Sequence, residues 1–456
     1  MTAVGFEKPA GAVLAARRAL EAIERLNEQV NAMLTVTAES ALARARAADE
    51  AEARDAWLGL LHGAVVSVKD CMDAEGVRTT FGSGAFADNV ATQDATVVRR
   101  LRESGATLIG KNNLHEWCFG ATTQNDHFGA CRNPWDLSRV PGGSSGGSGA
   151  AVASGMSRIS LGTDTGGSVR IPAALCGVSG LRPTVGAIPN TGVVQVSAAF
   201  DTVGPLAYGV PDVARAFAAI AGYDPADPLS TDHPAGNFLP SLGAGIEGIR
   251  IGVPRAFYFD DLQPDVGARV REAIRVLEAC GARIIEIDLR GAPQAHEDAA
   301  FTIAVADAAD VHRERMQHQA HVFGTETLRR LQLGTAVSGA DYAAASRRLA
   351  EWKAQFREVF QRVDLIVTPT CPIVAPKIAD AADMIETTRG LSRFTFAMGH
   401  AGLPALSVPC GFDADGMPVG MQLVAPWFSE ALLFRAGVAF QSRTDFHRAR
   451  PACWVE

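Results

Sequence analysis

What this chain lacks narrows its class. Its eight cysteines, at positions 71, 118, 131, 176, 280, 371, 410 and 453, show no close pairing and no CxxC spacing. Neither a disulfide framework nor a zinc cage is expected, and reduced thiols in a cytoplasm fit best. No uninterrupted apolar run approaches the roughly 18 residues that a membrane-spanning helix requires. Near the start, Arg17 and Arg18 come after rather than before the apolar residues that follow Met1, the reverse of an export signal. Positive charge is not in excess: 42 Lys and Arg face 50 Asp and Glu, a net charge of -8. That balance argues against nucleic acid as a partner, and the doublets Arg99-Arg100, Arg329-Arg330 and Arg347-Arg348 read as solvated helix faces.

Several motifs that would settle a mechanism at once are also missing. No Gly-Lys-Ser/Thr follows the glycines at 142 to 149, so there is no P-loop. His115-Glu116 begins like H-E-x-x-H, but Phe119 stands where the second histidine belongs, so neither a metal nor another cofactor is expected. Gly143-Ser144-Ser145-Gly146-Gly147 fits G-x-S-x-G, yet a nucleophile elbow follows a buried strand, and Asp136 to Pro141 is no strand. The later histidines, His400 and His447, carry no distinguishing context.

What is present is enough for a large globular enzyme. The 456 residues are 47% hydrophobic and 20% charged, a composition that supports a sizeable core. Residues 1–62 are rich in Ala, Glu, Arg and Leu at helical spacing and read as a wrapper of amphipathic helices. Over 63–210, β-branched runs at Val65 to Val68, Thr107 to Ile109 and Ile159 to Leu161 alternate with helical segments, which points to a mostly parallel sheet covered on both faces. The alternation resumes at Ile249, a polar helical segment spans 293–363, and Pro404 to Pro409 with Pro418 to Val424 form a closing antiparallel pair around the Asp413 to Gly416 turn. No linker or repeat interrupts 1–456, and a single α/β domain is the simplest reading.

The chemistry lies in two clusters, Gly142-Gly143-Ser144-Ser145-Gly146-Gly147-Ser148-Gly149 and Gly162-Thr163-Asp164-Thr165-Gly166-Gly167-Ser168. Taken alone, a glycine-rich loop is only a flexible connection. The second cluster, however, follows the strand-like Ile159 to Leu161, and a tight turn there exposes consecutive N–H groups that can hold a developing oxyanion beside Ser168. Ser168 is therefore the expected nucleophile. A serine needs a base, no histidine is near in sequence, and Lys69 among Val65, Val66 and Val68 is the candidate. A lysine works as a base only when uncharged, which asks for burial; strand alternation turns Asp70 to the other face. Asp164 and Arg170 flank the turn, either as a bracing ion pair or as separate surface charges.

Lys69, the glycine-serine loop and the run Leu161 to Ala174 resemble the amidase signature family, as do Arg132-Asn133-Pro134-Trp135-Asp136 and Gly180-Leu181-Arg182-Pro183-Thr184. The family's spacing is matched too, with Ser144 75 residues after Lys69 and Ser168 24 residues after Ser144. The resemblance implies an α/β/α domain with a mixed, mostly parallel central sheet, and a Ser-Ser-Lys triad in which Ser144, after a cis Gly143-Ser144 bond, bridges Ser168 to Lys69. It also implies an oxyanion hole at the Thr165, Gly166, Gly167 and Ser168 amides, and a substrate contact at Cys118.

The expected activity is hydrolysis of a C–N bond other than a peptide bond, through an acyl-enzyme on Ser168. Val193 to Ala199 offers no charge to clamp a zwitterion, and Ala199 to Pro205 and Arg393 to Phe396 look like stand-alone members. A neutral amide or carbamate, a urethane included, is thus the expected substrate. The alternatives are the glutaminase component of an aminoacyl-tRNA amidotransferase and a non-catalytic binder on the same fold. The partners expected are that small molecule and, in a homodimer, a second copy, with no nucleic acid or membrane.

Overall fold

The computed structural model describes residues 11–233 and 236–454. The first ten residues of the expected helical wrapper, including the start read for an export signal, lie outside the described residues.

Helices α1 (Ala12–Val30) and α2 (Ala38–Ala53) form the wrapper. Along α1, Ala12, Ala16, Ala19, Ile23, Leu26 and Val30 are buried at helical spacing, and Ala41, Ala45 and Ala48 face them from α2. The small alanines let the two helices approach closely, while Ile23 and Leu26 supply on the order of 1.5–3 kcal/mol each on burial. The first helix stops at Asn31, whose φ of 52° ends the helix in the left-handed region that asparagine tolerates.

Eleven strands join in one sheet: β1 (Met33–Val36), β2 (Val65–Lys69), β3 (Thr107–Asn112), β4 (Ile159–Asp164), β5 (Ser179–Arg182), β6 (Thr202–Ala207), β7 (Arg250–Pro254), β8 (Arg283–Ile287), β9 (Leu365–Pro369), β10 (Ala405–Phe412) and β11 (Pro418–Val424). Their order is β1-β3-β2-β4-β6-β5-β10-β11-β9-β7-β8. The sheet is mixed, as expected, with its parallel pairs gathered into two wings, β3-β2-β4 and β9-β7-β8. Between them β6, β5, β10, β11 and β9 pair antiparallel, so parallel pairing is a smaller share than the alternation alone implies. The short turn joining β10 to β11 accounts for one of these pairs, since it reverses the chain where parallel neighbours need a crossover, while the pairing of β5 with β10 and of β11 with β9 joins segments far apart in sequence.

All five residues of β2 and all six of β4 are buried, the pattern of strands covered on both faces. Packed over this wing is α4 (Gly146–Ala153), while α6 (Val210–Ile220) lies over β4, β5 and β6 with α3 (Thr96–Glu103) against it, α5 (Arg170–Cys176) lies over β5, β10 and β11, and α7 (Pro264–Ala279) lies over β9, β10 and β11. The glycine-serine loop thus runs into a helix that is buried along its whole length. Glycine is a poor helix former, but a Cβ at Gly147 would lie 2.3 Å from the Asn113 carbonyl oxygen, so the helix seats this deeply only without a side chain there. Among the described residues no helix is long and apolar enough to cross a membrane.

Two of the arginine doublets depart from the solvated-face expectation. Arg100 donates to the carbonyls of Ile220, Gly222 and Tyr223, and Arg330 is buried, donating to the Phe119 and Met384 carbonyls and to Thr388 Oγ1. Glu326, one turn earlier on the same helix, neutralises Arg330 at 2.6 Å. A guanidinium enters a core when that many acceptors meet it.

Candidate active site

Lys69 is the last residue of β2, and its parallel neighbour β4 ends at Asp164. The adjacent strands therefore deliver Lys69 and the second serine cluster to the same edge of the sheet. Ser144 arrives in the turn before α4, after a cis Gly143-Ser144 peptide. Lys69 Nζ donates to Ser144 Oγ at 2.7 Å and to Thr163 Oγ1 at 2.7 Å, all three side chains being buried. Asp70 does turn the other way, toward Lys111 at 2.9 Å. Among the described residues no carboxylate stands within ion-pair distance of Lys69.

The two serine clusters are tied by backbone. The Ser145 N–H donates to the Ser168 carbonyl at 3.2 Å, and Ser145 Oγ exchanges bonds with the Thr163 backbone at 3.1 and 3.2 Å. Ser168 sits between β4 and α5, where Gly167 takes a φ of +138° that a side chain rarely adopts. A Cβ there would also stand 2.2 Å from Thr395 Oγ1, so this turn has room only for glycine.

The turn is fixed from beneath by Asp164. Its carboxylate accepts from Arg170 Nε and Nη2, both at 2.9 Å, and from Arg182 Nη1 at 3.0 Å. Burial alone would push this carboxyl up; the two guanidinium groups overcome that and hold it well below the usual carboxylate range. The bracing ion pair is therefore the arrangement found, as a buried Arg-Asp-Arg group, with Arg170 reaching further to Gln422 Oε1 at 2.7 Å.

One expected oxyanion donor is reassigned. The Gly167 N–H donates to Asp164 Oδ1 at 2.8 Å, and the Val169 N–H to Oδ2 at 3.2 Å. Gly167 is thus spent on holding the turn. Thr165, Gly166 and Ser168 instead line a cavity of about 60 Å³, with Cys118 on the same wall. Among the described residues the Gly166 and Ser168 N–H groups have no protein acceptor.

Sequence reading missed the opposite wall. Phe301, Ala304 and Val305 come from the helix Phe301–Val311, Arg330 from the helix Thr325–Thr335, and Phe396 from a short helical turn, all within or after the segment read only as helical. It also missed Thr163 as the second partner of Lys69, although its place at the end of the strand beside Lys69 is a signal. Among the described residues no three His, Cys, Asp or Glu side chains converge as a metal ion would need.

Comparison with known proteins places this site in a family. Residues 15–434 match the amidase family profile. The chain belongs to the amidase signature family. Among curated proteins, this chain is similar to the A component of the glutamyl-tRNA(Gln) amidotransferase of Moorella thermoacetica, 41% identical over 96% of this chain and 94% of that one. Among solved structures, one described as a vestigial protein complex revealing the evolutionary origins of an s-triazine catabolic enzyme matches with a TM-score of 0.90 at 35% identity, covering 97% of each chain. A 6-aminohexanoate cyclic dimer hydrolase matches with a TM-score of 0.88 at 26% identity, over 97% of this amidase and 95% of that chain. The relatives named as amidotransferase components run against the preference for a stand-alone member drawn from Ala199 to Pro205 and Arg393 to Phe396. Of those two short segments only Phe396 lines the cavity, whereas the 41% identity extends over nearly the whole chain.

Proposed function

We propose that this amidase cleaves the C–N bond of an amide through an acyl-enzyme on Ser168. With Lys69 as the uncharged amine, its nitrogen takes the Ser144 proton while Ser144 takes that of Ser168, and Ser168 Oγ bonds to the carbonyl carbon. The carbonyl electrons move onto oxygen, which faces the Gly166 and Ser168 N–H groups. Collapse expels the nitrogen, which receives the relayed proton, and water then cleaves the ester by the same relay. The observation that carries this reading is the buried 2.7 Å contact between Lys69 Nζ and Ser144 Oγ, with hydroxyl groups as the lysine's partners.

On the substrate, the relatives named as components of a glutamyl-tRNA(Gln) amidotransferase support glutamine as the amide and a multi-component assembly as its setting. On that support the glutaminase reading takes precedence. The cavity favours a second reading, a small neutral amide or carbamate. Among the described residues that line it, Arg330 is the one charged side chain, and Glu326 and two carbonyls already hold it. Glutamine's α-ammonium and α-carboxylate call for an opposed pair of charges.

The test is a release assay on the purified chain with glutamine, aryl amides, primary aliphatic amides and carbamates, repeated with the other amidotransferase components present. Ammonia from glutamine only with those components supports the first reading, and turnover of neutral amides by the chain alone, with glutamine inert, supports the second. Ser168→Ala should abolish either while leaving folding intact; an unchanged rate in that variant overturns both.

A further inference from the structure

Of the buried carboxylates that take no part in the mechanism, one stands against the oxyanion-binding turn. Asp201, just before β6, accepts the Thr165 hydroxyl on Oδ1, and the N–H groups of Val196 and Ser197 on Oδ2 at 2.7 and 3.1 Å. These donors come from two separate segments. Thr165 belongs to the turn that carries Gly166 and Ser168, and Val196 is a wall of the cavity. Arg182 holds the Thr165 carbonyl at 3.1 Å, so the residue is gripped at side chain and backbone together. Ser197 Oγ in turn donates to Asp307, on the helix that brings Phe301, Ala304 and Val305 to the opposite wall.

Resting on the proposal that Ser168 is the nucleophile, we infer that Asp201 is a positioning residue for the reaction, its carboxylate clamping the oxyanion-binding turn to the Val196 wall of the cavity. The clamp depends on charge because three donors converge on it. A proton on the carboxyl removes the negative charge that strengthens all three bonds, and on Oδ1 it competes with the Thr165 hydroxyl for the same place.

The ionisable groups around it are Arg182 on β5, Cys118 in the cavity lining, Asp164 behind the turn, Asp307 beyond Ser197, and Asp227, which accepts the Asn190 N–H while Asn190 Nδ2 donates to the Asp201 carbonyl. Arg182 is the cation among them, and it is shared with Asp164. Burial pushes the Asp201 carboxyl up to about 6 against the pull of Thr165, the two amides and Arg182. The clamp therefore loosens at mildly acidic pH.

The experiment follows modification of Ser168 by phenylmethanesulfonyl fluoride, read by intact mass and peptide mapping between pH 5 and 9; it needs the relay and the turn but not the natural substrate. In the unaltered protein the rate should show an added fall of up to about tenfold as the pH drops through 6. Asp201→Asn should react about tenfold more slowly at pH 8, and its pH profile should lack that change of slope. Thr165→Val should lose a similar factor, and the double variant should be no slower than either alone. Where Asp201→Asn does not unfold cooperatively, Thr165→Val and the added fall in the unaltered protein carry the test. A purely structural role would lower the melting temperature of Asp201→Asn but leave its slope change in place, and that outcome overturns the inference, as do unchanged rates in both single variants. Absence of label at Ser168 in the unaltered protein overturns the nucleophile assignment, and this inference with it.

Discussion

Two buried lysines stand on neighbouring strands of the same wing, and they differ in company rather than in kind. Lys111, on β3, stands 2.9 Å from Asp70 and donates to Thr79 Oγ1 at 2.7 Å. Among the described residues Lys69, on β2, has the hydroxyls of Ser144 and Thr163 as its side-chain partners. Asp70 is fully committed, since its second oxygen accepts from the Thr80 N–H at 2.9 Å and the Thr80 hydroxyl at 2.5 Å. A buried lysine matched by a carboxylate is a fixed charge in the scaffold, whereas one surrounded by hydroxyls can exchange protons with them. The carboxylates repeat the contrast. Asp164 is matched by two guanidinium groups, while Asp201 is held by one hydroxyl and two amides.

The sharpest way to break the comparison is to remove each amine in turn. Lys69→Met should cost roughly 10²- to 10⁴-fold in turnover, with a denaturant midpoint close to that of the unaltered protein. Lys111→Met should do the reverse in kind, losing about 3–5 kcal/mol of stability because it strands the Asp70 charge in the core, as urea unfolding would measure. If Lys111→Met lost turnover while keeping its stability, the two lysines would not be divided as argued.

Acid titration sharpens the carboxylate half. Asp164 has its pKa held down in the folded state, so its contribution to stability is present above about pH 4 and is lost as pH falls below that. Asp201 has the opposite sign. Raised to about 6, its contribution is complete below about pH 4 and is lost as pH rises to about 6, on the order of 2–3 kcal/mol. Unfolding curves of Asp164→Asn should therefore show a flatter acid limb, and those of Asp201→Asn a smaller decline between pH 4 and 6. Of these effects the last is the smallest.

Much of this was legible in the chain itself. The run Val65 to Lys69 announces a buried strand because three of its first four residues are valines, and the expectation of a buried lysine at its end follows from that. The second glycine cluster was readable as a turn because a strand leads into it. The limits are equally physical. The amide of Gly167 turns toward Asp164, a choice made by a side chain three residues earlier and by two arginines that fold in from α5 and β5. Arg330 looked solvated because its acceptors lie at Phe119 and Met384, far away in sequence, although Glu326 at i-4 hinted at its pairing. The antiparallel centre of the sheet depends on β5 pairing with β6 on one side and with β10 on the other, and the second of these contacts is one that no local pattern records.

The distance along the chain between Lys69 and its partners has a consequence for biosynthesis. Ser144 and Thr163 follow it by 75 and 94 residues, so a ribosome must add at least 75 residues beyond the amine before either of these partners exists for it to bond with. Until then β2 ends in a solvated cation, and the wing cannot close over it.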